Sequence, residues 1–104
     1  MIVVTTDEIS DARVTQVLGL VQGHSVRARG AVRDITASIR NVFGGDIPEY
    51  AELMQHAREV AVEQMSKSAQ EQGANAIVGT RFVTGDIMGS AIEILVYGTA
   101  VVTE

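Results

Sequence analysis

Apolar positions along the chain first fall in short β-branched runs. Ile2-Val3-Val4-Thr5-Thr6 is one, and after a stretch rich in Asp, Glu and Ser comes Val14-Thr15-Gln16-Val17-Leu18-Gly19-Leu20-Val21. Such residues fit a pleated, half-buried surface, so both runs predict strands. From Ala28 the period lengthens. Val32, Ile35, Ile39 and Val42 recur at helical spacing until Gly44-Gly45 closes the pattern where a helix end favours glycine. A longer helix follows: Asp46 and Glu49 stand at capping-box spacing, Pro48 occupies a first turn where its missing N–H is harmless, and no breaker intervenes before Gly73. Its apolar stripe is Tyr50, Leu53, Met54, Ala57, Val60, Ala61, Met65 and Ala69, while Glu49, Glu52, His56, Glu59 and Glu63 line another side. Two more strands, Ala76–Val83 and Ile92–Val102, are parted by turn-prone residues from Gly85 to Ser90 and read as a hairpin. The predicted order is β-β-α-α-β-β, a two-layer α+β fold in which two helices cover one face of an antiparallel sheet.

The final strand leaves neither of its sides polar. Ile92, Ile94, Val96, Ala100 and Val102 alternate with Leu95, Tyr97, Thr99 and Val101. Two helices cover one sheet face, and the chain has nothing left for the other, so neighbouring subunits are the expected cover. The alternative is a strongly curved sheet closing on itself as a small barrel. Glycines inside strands, Gly19, Gly23 and Gly98, are expected at bulges, bends or close backbone approaches.

Composition narrows the classes. With 104 residues, 46% hydrophobic and 20% charged, the chain supports one folded domain, residues 1–104. No run approaches the ~18 apolar residues of a membrane span. The start, MIVVTTDE, has no basic leader or apolar h-region, so the expected compartment is the cytoplasm. A net charge of −5 argues against a nucleic-acid partner, because phosphate neutralisation needs a basic surface. The absence of cysteine removes disulfides, thiolate nucleophiles and sulfur-based zinc sites.

Candidate chemistry is sparse. The sequence has no P-loop, dinucleotide fingerprint, GxSxG elbow or HExxH motif. His56 lies four residues after Glu52, three before Glu59 and seven before Glu63, so one imidazole shares a helical flank with carboxylates. Such nitrogen and oxygen donors could hold a divalent metal, above all if symmetry gathered copies around an axis. The competing reading is a solvated acidic face, with Glu63 and Lys67 spaced for an ion pair. Arg27, Arg29, Arg33 and Arg40 hold half of the basic residues within fourteen positions. They suit either an anion site or pairing with acidic residues of a neighbour. Gly44-Gly45 could present N–H groups to an anion, although helix termination already accounts for both glycines.

Several segments together resemble the YbjQ-type family of small bacterial and archaeal domains, whose label is heavy-metal-binding. They are VVTT at 3–6, GLVQG at 19–23, RNVFGG at 40–45, YAEL at 50–53, GANAIVG at 73–79 and YGTAVV at 97–102. The resemblance runs nearly end to end and implies an α+β fold in a homo-oligomer, a pentameric ring. Its metal label brings no ligand motif that these residues match. The functional expectation is a cytoplasmic, non-enzymatic homopentamer that binds a metal ion or small charged ligand. The alternative is an enzyme whose site forms between subunits, where His24, His56, Tyr50 and Arg33 from different chains could meet.

Overall fold

The computed structural model describes residues 1–28, 48–87 and 91–104. Its elements are β1 (Ile2–Val3), β2 (Val14–Ala28), α1 (Pro48–Glu71), β3 (Ala76–Ile87) and β4 (Ala91–Thr103). The predicted shorter helix, with Gly44-Gly45 and Asp46, falls on residues 29–47, outside the described residues. Ala28, the expected start of that helix, instead ends β2 opposite Ala91. Both hairpin strands run longer than predicted, and β2 continues seven residues past Val21.

The four strands form one sheet in the order β1-β3-β4-β2. β4 pairs antiparallel with both β2 and β3, whereas β1 lies parallel to β3, with Ile2 opposite Ala76 and Val3 opposite Ile77. The expected all-antiparallel sheet is therefore corrected to a mixed one. With β4 flanked on both sides, the N-terminal segment joins the outer edge of β3, which it enters in β3's own direction. Beyond Val3 the segment stays attached through Val4 N–H to the Ile77 carbonyl (2.9 Å) and Gly79 N–H to the Thr6 carbonyl (2.9 Å). Among the described residues the sheet is open, with β1 and β2 at its ends, and does not close as a barrel.

Helix α1 lies on one face, chiefly over β2. Ala57, Ala61, Met65 and Ala69, four residues apart, are fully buried, and Met54 and Val62 pack beside them. Leu53 and Val60, expected within the stripe that faces the sheet, are only half-buried on its flank. The small alanines let the helix approach the sheet closely. At Gly23 a Cβ would strike the Ala61 carbonyl oxygen and come within 2.7 Å of Met65 N, so only glycine fits beneath this crossing. Val21, Ile77, Ile94, Val96 and Ala100 complete that core from the sheet.

A second, smaller core sits on the opposite face. There Ala76, Val78 and Val101 are covered by Val4 and Ile9 of the segment joining β1 to β2. The chain thus covers one end of the face that the sequence assigned wholly to neighbours. The rest of it exposes apolar side chains among the described residues, beside the polar Gln22 and His24: Leu20 is 70% exposed and Val17 65%, with Val26, Val83 and Tyr97 also exposed.

Three register slips shape the sheet, two in β2, between Val14 and Gln16 and between Val17 and Gly19, and one in β3 between Val78 and Arg81. The slip in β3 lies across from Gly98. A Cβ there would stand 2.7 Å from Ile77 Cγ2 and 3.1 Å from both Thr80 Oγ1 and the Val78 carbonyl oxygen. The close approach at Gly98 is within the chain, not a backbone from another subunit.

Candidate functional site

The flank proposed from sequence for a metal, Glu52, His56, Glu59 and Glu63, lies along α1, and all four residues are exposed. No three of the described His, Asp and Glu side chains come together as a metal-binding group. Glu59 Oε1 accepts a hydrogen bond from Gln55 Nε2 at 3.2 Å, and Arg58 Nη2 donates to Gln55 Oε1 at 3.3 Å. These are helix-surface contacts at i,i+4 and i,i+3 spacing. The expected Glu63–Lys67 ion pair does not form, and the described ion pair is Arg13 Nη2 with Glu104 Oε2 at 3.0 Å, both side chains exposed. The structure does draw Glu59 and Glu63 toward one feature, a shallow groove of about 460 Å³ that they line with Gln55, Arg58, Val62 and Phe82.

His24 and His56 are not brought together. Strand alternation buries Val21, Gly23 and Ser25 under α1 and turns His24 to the open face, whereas His56 is on the helix. His24's main chain is engaged, since its N–H donates to Gln64 Oε1 at 2.6 Å, tying α1 to β2. Tyr50 lies in the first turns of α1. Arg27, near the end of β2, is half-buried, and its Nε has no hydrogen-bond partner among the described residues. Arg29, Arg33 and Arg40 lie outside the described residues.

The larger concavity is one that sequence periodicity did not reveal. A cleft of about 570 Å³ opens on the sheet face away from α1, with Val17, Val78 and Val101 in its floor and Asp7, Glu8 and Arg13 in its wall. The wall is the segment between β1 and β2, which the chain fastens at several points. Thr6 Oγ1 donates to the Glu8 carbonyl at 2.6 Å. Asp11 takes a left-handed φ of 61°, a conformation aspartate tolerates better than most residues. Arg13 and Glu104 exchange backbone hydrogen bonds of 3.2 and 3.0 Å in addition to their ion pair. Arg81 Nη1 donates to the carbonyls of Thr5 and Thr80, both at 2.8 Å, joining the same segment to the β3 slip. Partners as distant as Thr5 and Arg81 leave no local signal in the sequence.

Among the described residues no helix is long and apolar enough to cross a membrane. The family profile described as "Putative heavy-metal-binding" matches residues 1–104. A UPF0145 protein of Pyrococcus abyssi is 50% identical over 104 residues, all of this chain and 91% of the relative. One from Thermus thermophilus is 46% identical over 101 residues, 97% of this chain and 89% of the relative. A crystal structure from Pediococcus pentosaceus, titled as a protein of unknown function in the DUF74 family, superposes with a TM-score of 0.65 over 100% of this chain and 98% of that one. At 13% identity it shares the fold. With a profile spanning every residue and relatives at half identity, the chain belongs to the YbjQ-type family.

Proposed function

We propose that the protein acts as a non-enzymatic homo-oligomer, a ring of five copies in the cytoplasm, that binds a metal ion or a small charged ligand. The observation that carries the oligomer is the open sheet face, where Leu20, Val17, Val26, Val83 and Tyr97 present apolar side chains that the described residues leave exposed. The number five and the metal come from the family resemblance and the family's description. Light scattering on the purified native protein tests the assembly: a mass of five chains is expected, and a stable monomer would overturn it. Elemental analysis and native mass spectrometry of the same sample test the ligand. A stoichiometric metal or bound small molecule supports binding, a molecule turned over by the sample supports the inter-subunit enzyme instead, and an empty protein that takes up neither removes the ligand half of the reading.

A further inference from the structure

We infer that the groove between Phe82 and α1 is the second half of the subunit contact, and that it receives the open sheet face of another copy of this chain. The inference rests on the ring of five copies proposed above and names the surface that this ring still lacks. A patch that meets its own copy about a two-fold axis closes a pair, whereas copies around a five-fold axis touch head to tail through two different patches on each subunit. The open face, with Leu20 and Tyr97, is one of them. The other has to lie elsewhere on the same subunit.

Helix α1 runs chiefly over β2, so it leaves the β3 side of its own sheet face uncovered. Phe82 pairs with Val96, which is fully buried beneath the helix, yet Phe82 itself is 47% exposed. It and the half-buried Val62 are the apolar part of the groove of about 460 Å³, whose rim is Gln55, Arg58, Glu59 and Glu63. An aromatic anchor inside a polar rim is the anatomy of a protein contact. The chemistry of the two patches also matches. Beside Tyr97 the open face carries its cross-strand partner Gln22 and then His24, so it brings N–H and O–H donors to a rim whose acceptors include Glu59 and Glu63. Because the groove and the open face lie on opposite sides of one sheet, packing one against the other repeats from copy to copy in a single direction, as a ring requires.

The chain has no cysteine, so an introduced thiol reports only its own position. Leu20→Cys and Phe82→Cys are made singly and together in the full-length protein, treated with a short bismaleimide at low protein concentration, and run on a denaturing gel. The double variant is expected to give a ladder of joined chains up to five, and each single variant to stay as one chain, because each thiol meets only the other kind. Leu20→Cys joining to itself would show a two-fold contact of open faces and overturn the groove. A double variant that stays as single chains overturns it too, and a Phe82→Cys thiol that resists labelling in the native protein would place residues 29–47, not a second copy, over the groove. Phe82→Asp gives an independent readout: the side chain is exposed in the single subunit, so the circular dichroism spectrum should be kept while the light-scattering mass falls from five chains to one. If Leu20→Asp lowers the mass and Phe82→Asp does not, the groove is overturned and the open face remains a contact. A parent protein that is a stable monomer removes the ring and the groove together.

Discussion

Gly98 and Thr80 face each other across the slip in β3, and their substitutions should move stability in opposite directions. A Cβ at Gly98 would meet Ile77 Cγ2 at 2.7 Å, a contact that requires the core to shift. Gly98→Ala is expected to destabilise by about 1–3 kcal/mol, the range for overpacking, measured by urea or thermal unfolding. An unchanged midpoint would mean that the slip is not where the register places it. Thr80 is buried, and its Oγ1 has no hydrogen-bond partner among the described residues. Replacing a buried unsatisfied hydroxyl with a methyl of similar size removes a desolvation cost, so Thr80→Val should stabilise by about 1 kcal/mol. A loss of stability instead would show that the hydroxyl is satisfied in solution. At this scale the sequence was partly legible. A glycine within a strand points to a bulge or close approach, and Gly19, Gly23 and Gly98 each lie at one, whereas Gly85, in regular register opposite Glu93, does not. It does not signal whose atoms approach: the helix backbone at Gly23 and the chain's own β3 at Gly98.

The helix was the most legible element and its phase the least certain part of it. Its start at Pro48 and its end before Gly73 follow from local chemistry, which a single sequence carries in full. The buried row is the i,i+4 series Ala57, Ala61, Met65 and Ala69, in which alanine appears at three of four places. Alanine is a weak hydrophobic marker, so larger neighbours such as Leu53 draw the predicted stripe toward themselves. Met65→Ala should therefore cost about 2–5 kcal/mol as a change in a fully buried side chain. Leu53→Ala should cost only about 1 kcal/mol, as expected of a half-covered leucine, and His56→Ala almost nothing. The three variants measured in one unfolding series check the phase, and a Leu53 loss larger than that of Met65 would reverse it. The parallel placement of β1 could not be read from the sequence. Two residues, Ile2 and Val3, carry it, and pairing direction leaves no trace in a run so short.

Across the whole molecule, the expectation that neighbouring subunits cover the far side of β4 is corrected at one end. Val101 is 1% exposed because Val4 and Ile9 pack with its cluster, so its neighbours belong to its own chain. That cover depends on a contact between residues nearly a hundred positions apart, which alternation along β4 cannot announce. The distinction sets the final prediction. Val101→Asp places a charge inside a subunit, where an unpaired buried charge costs several kcal/mol, and it should lower the melting temperature or unfold the chain whatever its assembly. Leu20→Asp instead places the charge on a side chain that is 70% exposed in the single subunit. An isolated chain should tolerate it within about 0.5 kcal/mol, whereas an assembly that buries this face should not. Leu20→Asp is therefore expected to reduce the mass measured by light scattering while the circular dichroism spectrum of the folded chain is kept. Mutating Tyr97 to Asp, on the same face, should act in the same direction. If Leu20→Asp keeps both the parent's mass and its melting temperature, the subunits do not meet on this face, and the surface that supports the ring has some other purpose.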